Sequence, residues 1–212
     1  MEKREILKYF LFLTIVLLVL GITAYLVWST ISTNQTSVTG GPVHWHADFE
    51  IWNCGNKVDL IDPKGLSNKI GTPILHEHND NRIHVEGPVI EYKDISLGEF
   101  FKVIGGRMTA SSLVAPTNNG VVSLESGVIC NGLPGELQVF VYQTSGSNFH
   151  QKKLADPASH ILSPHPQVPP GDCIIIELDK PKEKTNKLCN FYQVSVEKGE
   201  LIEKLDSSLR SE

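Results

Sequence analysis

The sequence predicts an α+β fold, mainly β, with one short helix packed on a mixed sheet and a single transmembrane helix ahead of it. Three observations carry this prediction. An uncharged apolar run lies near the N-terminus, short strand-patterned segments follow one another from residue 43 onward, and residues 96–106 alone carry helical start and stop signals.

The apolar run is YFLFLTIVLLVLGITAYLVW, Tyr9 to Trp28, 20 residues without a charge. A helix of that length crosses roughly 30 Å of hydrocarbon. Tyr9, Tyr25 and Trp28 lie near its ends, where aromatic rings favour the headgroup region. Lys3, Arg4 and Lys8 precede it and STISTNQTSVTGGP, without charge, follows it, so the positive-inside bias predicts a cytoplasmic N-terminus and an extracytoplasmic remainder. The competing reading is a cleaved signal peptide, whose apolar core is usually about 7–15 residues and ends in a small-x-small site. This run is longer, and no such site precedes Ser29. Residues 1–28 are therefore expected to be a cytoplasmic stub and anchor in the cell membrane, single-pass, with the lipid bilayer its partner through residues 9–28. Residues 29–42, rich in Ser, Thr, Asn, Gln and Gly, read as a flexible tether.

The domain, expected over residues 43–198, opens with VHWHADFEIW. Trp45, Ala47, Phe49 and Ile51 alternate with His44, His46, Asp48 and Glu50, which is a half-buried strand with a polar face. Cys54-Gly55-Asn56 is a turn and KVDLI a returning strand, and residues 62–73, with Pro63, Gly65, Gly71 and Pro73, form a loop. HEHNDNRIHVEGPVIEY then reads as a hairpin and its continuation. Ser96-Leu97-Gly98-Glu99 fits a capping box, Leu97, Phe100, Phe101 and Ile104 form one stripe, and Gly105-Gly106 stops a helix of about nine residues. GVVSLESGVIC, ELQVFVYQT, CIIIELD and LCNFYQVSVE read as strands, with turns at Asn131-Gly132 and Pro169-Pro170-Gly171. Residues 199–212 are expected to be a tail, frayed helix or disordered.

A net charge of −5 gives no electrostatic case for nucleic acid. All four cysteines, Cys54, Cys130, Cys173 and Cys189, follow the anchor, so two disulfides in an exported domain are expected, with three connectivities open.

Chemistry concentrates in histidine. Five of the eight histidines fall between residues 44 and 84: His44, His46, His76, His78 and His84. On a strand, residues i and i+2 point the same way about 7 Å apart, so an HxH pair can converge on one ion. The chain has two such pairs and His84-Val85-Glu86 behind them. A three-residue hairpin loop at Asp80-Asn81-Arg82 would pair Asn79 with Ile83, face His78 to His84 and His76 to Glu86, and place all four on one side. A two-residue loop would spoil that arrangement. Glu86, Asp48, Glu50 and Glu77 are candidates for further ligands or for orienting ring N–H groups. Imidazole-rich, thiolate-free ligation suits a divalent transition metal, zinc or copper foremost. The bland alternative is a solvated histidine face. His150, His160 and His165 lie in turn-rich sequence and read as loop histidines.

Two resemblances attach to these residues. Two strands, a helix and a late PPGDCIIIEL resemble a β-grasp arrangement, which implies a β-grasp-like extracytoplasmic domain. The chain lacks the C-terminal Gly-Gly of the sulfur carriers of that fold, so their chemistry does not carry over. HWHADFEIW, HEHNDNRIHVE and LGEFF together are similar to a group of uncharacterised membrane-anchored proteins of archaea and small-genome bacteria. That group carries an H-x-H strand, an HTHD-like segment ending IHVE, and LGxFF on a helix. This chain has Glu77 and Asn79 where the group often has Thr and Asp, and the resemblance implies no activity.

Three functions follow as expectations. The first is a membrane-tethered metal-binding module for sensing, storage or delivery. The second is a metal-dependent enzyme with Glu77 or Glu86 as general base, although no HExxH helix, Gly-x-Ser-x-Gly elbow or phosphate-binding loop supports a standard mechanism. The third is an interaction subunit with a membrane-protein partner and metal-free histidines.

Overall fold

The computed structural model describes residues 3–162 and 171–203. His165, the Pro169-Pro170 half of the expected turn and most of the expected tail lie outside them. Helix α1 (Lys3–Thr36) is 34 residues long, about 51 Å at 1.5 Å per residue. It is long and apolar enough to cross a membrane, and none of it is buried in the protein.

The expected flexible tether is not what the structure contains. Residues 29–36 continue the helix, and the Thr30 and Thr36 hydroxyls donate to the carbonyls of Leu26 (2.9 Å) and Ser32 (3.1 Å). Back-bonding of this kind satisfies short polar side chains inside a helix. The remainder is tied to the domain: Val38 N–H donates to Val89 O at 2.9 Å, and the Thr39 hydroxyl bridges Val89 N–H and the Gly41 carbonyl.

The chain then runs β1 (Pro42–Asn53), β2 (Asn56–Val58), β3 (Ile70–Gly71), β4 (Leu75–Glu77), β5 (Arg82–Pro88), a 3-10 turn at Tyr92–Ile95, and α2 (Leu97–Val103). Strands β6 (Arg107–Met108), β7 (Ser112–Thr117), β8 (Gly120–Glu125), β9 (Ile129–Cys130) and β10 (Leu133–Pro134) follow. Next come β11 (Glu136–Ser145), β12 (Asn148–Lys153), β13 (Cys173–Asp179), α3 (Asn190–Glu197) and β14 (Ile202–Glu203). The fold is α+β and mainly β, as expected. The main sheet is mixed and nine-stranded, in the order β14-β12-β11-β13-β1-β5-β4-β3 with β2 also on β1.

Strand β1 organises it. Asp48–Asn53 pair in parallel with Cys173–Leu178 of β13, while Pro42–Asp48 pair antiparallel with β5. The β1–β2 turn is two residues, Cys54 and Gly55, both at positive φ (49° and 88°), and Asn53 pairs with Asn56. A turn with both central residues left-handed matches the twist of the flanking strands.

The sheet is covered on both faces. On one, Phe100 and Phe101 of α2 belong to the same core as Ile51, Ile174 and Ile176, Phe100 packing edge-on against Phe49, with the Ser96 hydroxyl accepting from Glu99 N–H at 3.2 Å as the helix cap. On the other, Phe140, Tyr142, Phe149, Ile175 and Tyr192 form a smaller core. Residues 173–176 of β13 form an unbroken apolar run because this strand feeds both cores, Ile174 and Ile176 on one face and Cys173 and Ile175 on the other.

LCNFYQVSVE, expected as a strand, is helix α3. Its buried residues Tyr192 and Ser195 follow Cys189 at spacings of three, Cys189 is disulfide-bonded to Cys173, and Tyr192 OH donates to Gly171 O at 2.7 Å. Those tertiary contacts override the β-propensity of its Phe, Tyr and Val residues.

Gly171 marks where β13 meets β1. Its φ is +44°, and a Cβ there would lie 1.8 Å from the carbonyl oxygen of His46. Gly171→Ala is expected to cost about 3 kcal/mol, a fall of roughly 6–12 °C in Tm, measurable by thermal denaturation of the purified chain.

Candidate metal centre

Strand register assembles the histidines. On the polar side of the sheet, β4 places His76 opposite His84 of β5, and β5 places His84 opposite His46 and Glu86 opposite His44 of β1. Three neighbouring strands thus line up His76, His84 and His46 in one row, with Glu86 and His44 in the next.

The hairpin does not have the expected three-residue loop. His76 pairs with His84, not with Glu86, so the register is displaced by two residues and the connecting segment spans His78 to Asn81. Asn79 (φ 66°) and Asn81 (φ 57°) both take the left-handed conformation, which Asn tolerates. Because side chains alternate with period two, a slip of two leaves every residue on its expected face.

Loop contacts fix the ring orientations. The Nδ1 of His76 lies 3.1 Å from Thr72 O, and the Nδ1 of His78 lies 2.5 Å from Asn68 O. The Nε2 of His84 lies 3.1 Å from Asp80 Oδ2. A carbonyl or carboxylate oxygen only accepts, so each of these nitrogens carries the proton. In neutral rings that leaves bare lone pairs on His76 Nε2, His78 Nε2 and His84 Nδ1. His76 is 0% exposed, and its Nε2, like His84 Nδ1, is buried without a hydrogen-bond partner. One ligand atom from each of His76, His78, His84 and Glu86 falls within 4.8 Å of all the others, and a second set within the same limit comprises His44, His46 and His84.

The electrostatics favour neutral rings at His46 and His76. Burial, with His84 next in weight, pushes His46 down to about 4. Burial likewise lowers His76, assisted by Lys69. Burial pushes Asp80 up, but its hydrogen bond from His84 and the nearby positive charge hold it below the usual carboxylate range.

For His46 the sign is fixed by its lowered value. Below about 6.5 the unfolded chain takes up a proton that the folded chain refuses until about 4, so stability falls across that window. The cost is about 1–2 kcal/mol after allowance for partial solvent screening. In His46→Ala the fall in Tm between pH 7 and pH 4.5 is expected to be smaller than in wild type by a few degrees, read by calorimetry on metal-free samples.

The expected acidic residues divide. Glu86 joins the cluster. Asp48 is paired instead with Arg82 Nε at 2.6 Å, and burial raises its pKa. Glu50 accepts from Trp52 Nε1 and Lys57 Nζ, both at 3.0 Å. Glu77, raised by burial, accepts the N–H groups of Asp80 (2.7 Å) and Asn81 (3.3 Å) and so braces the loop. None of these three enters either ligand set.

Asp80, read from sequence only as a turn residue, is the carboxylate that orients His84. The long hairpin connection brings i and i+4 together, and that spacing was its only sequence signal. His150 stands in β12, outside both sets. His160 Nε2 lies 2.8 Å from Asp172 Oδ2 and anchors its own loop. A cavity of about 310 Å³ between α3 and the Asp80–Arg82 turn is lined by Asp48, Asp80, Arg82 and Phe191 but by none of the five histidines.

No family model, curated protein or solved structure matches the chain.

Proposed function

We propose that this chain is a membrane-anchored extracytoplasmic protein that binds a divalent transition metal at His76, His78, His84 and Glu86. One observation carries the reading. Three imidazoles each have one nitrogen hydrogen-bonded to an oxygen, two of the opposite nitrogens, His76 Nε2 and His84 Nδ1, are buried and unpartnered, and a ligand atom of each ring lies within 4.8 Å of those of the other two and of Glu86. A buried polar atom without a partner costs about 1–3 kcal/mol, and an ion that takes up the lone pairs removes that cost. Ring N–H groups held by carboxylate or carbonyl oxygens are the usual outer support of metal-ligating histidine.

Three imidazoles and a carboxylate, without thiolate, fit Zn²⁺ or Cu²⁺. Met108 is buried in the apolar core, which argues against a thioether copper site. The placement outside the cytoplasm is supported by the apolar α1 and by the pairing of all four cysteines in disulfides. The orientation of α1 rests on Lys3, Arg4 and Lys8. The parallel pairing of β1 with β13 supports a β-grasp-like description, a likeness that carries no activity.

The test uses the full-length chain in detergent, stripped with chelator and titrated with Zn²⁺ and Cu²⁺ by calorimetry. Binding of at least one ion per chain at micromolar Kd or tighter is expected; heats no different from buffer for both ions would defeat the reading. Asp80→Ala is expected to weaken binding about 10–100-fold while the chain remains folded.

A further inference from the structure

The inner ligand set leaves two imidazoles over. His44 and His46 stand on β1, one strand beyond His84 and Glu86, and their ligand atoms form with His84 a set as compact as the first, within 4.8 Å. Five imidazoles and a carboxylate exceed what one tetrahedral ion uses, which is four ligands.

The carboxylate of Glu86 is divided between the two groups. Its Oε2 lies 3.7 Å from His76 Nε2, while its Oε1 lies 3.2 Å from His44 Nε2 and 3.9 Å from His84 Nδ1. The two groups also differ in access. His76 is fully buried, His84 is 12% exposed along its side chain, and His44 is 64% exposed.

We propose that the histidine face seats two metal ions, with Glu86 bridging an inner ion on His76, His78 and His84 to an outer ion on His44 and His46. This rests on the function proposed above. A carboxylate with one oxygen on each ion is a natural link between metals about 3.5–4 Å apart. The outer seat then offers two imidazoles and, through the Glu86 oxygen 3.2 Å from His44 Nε2, one carboxylate oxygen, His84 of the compact outer set being used by the inner ion, and it is open to solvent on the His44 side. A three-ligand ion keeps a coordination position for water or a small anion. The outer ion is therefore the weaker and exchangeable one, and the one that meets an exogenous ligand.

The experiment loads the full-length chain in detergent with Cu²⁺, removes free metal, and measures copper per chain by mass spectrometry together with the electron paramagnetic resonance signal. Wild type is expected to retain two ions, with signal intensity well below that of two isolated Cu²⁺ ions because a bridged pair is spin-coupled. His44→Ala/His46→Ala is expected to retain one ion with full intensity for one. Glu86→Gln is expected to restore uncoupled intensity for whatever copper it holds. One ion per wild-type chain overturns the second seat while leaving the inner site standing. Two ions retained by the double variant overturn it as well, because the second ion then lies elsewhere. No copper on wild type overturns both proposals together. A wild-type count below two overturns the second seat by itself, so a folding defect in a variant does not remove the test.

Discussion

His76→Ala is expected to remove most of the thermal stabilisation that Zn²⁺ gives the wild-type chain, leaving only what the weaker outer ion supplies. An ion that binds only the folded state contributes RT ln(1 + [L]/Kd), about 4 kcal/mol at a thousandfold excess over Kd. At roughly 2–4 °C per kcal/mol for a chain of this size, that raises Tm by about 8–16 °C. His76 is fully buried, so its removal also weakens the metal-free protein. The comparison is therefore made within each variant, with and without Zn²⁺, and the intrinsic loss cancels. His84→Ala should behave in the same way, because His84 belongs to both ligand sets. His150→Ala, on an exposed position of β12, should retain the full shift. A wild-type-sized shift in His76→Ala would place the ion elsewhere.

The second large effect concerns the disulfides. Cys54–Cys130 closes a separation of 76 residues and Cys173–Cys189 one of 16. Loop-closure entropy puts the first at about 4.5 kcal/mol and the second at about 3 kcal/mol. Cys54→Ala/Cys130→Ala is expected to lower Tm by roughly 9–18 °C. Cys54, in the turn after β1, lies eight residues from His46, about 26 Å in extended chain, so Zn²⁺ affinity of the folded fraction should remain within about threefold of wild type. Cys173→Ala/Cys189→Ala should release the N-terminus of α3 from β13 and raise hydrogen exchange across Asn190–Glu197 more than elsewhere. A large loss of metal affinity in the Cys54/Cys130 variant would show that the bridge sets the register of the histidine strands.

What the sequence determined here is what period two determines. VHWHADFEIW and HEHNDNRIHVE each separate a polar from an apolar face, and that assignment survives any even change of register. The expected loop was of the wrong length, yet His76, His78, His84 and Glu86 still share a face. The apolar α1 and the capped α2 were legible for the same kind of reason, since their signals are local. What only the tertiary structure decided depends on contacts distant in sequence. The union of the two HxH pairs comes from β5 lying between β4 and β1, and no local pattern specifies strand order. Three connectivities were open to the cysteines until β13 brought Cys173 to Cys189. Helix α3 replaced an expected strand because a disulfide and the burial of Tyr192 outweighed local propensity. Asp80 became the partner of His84, and Asp48, Glu50 and Glu77 left the site for Arg82, Lys57 and the loop amides. A carboxylate takes whichever donor the packed chain presents, and that choice is made across the sheet.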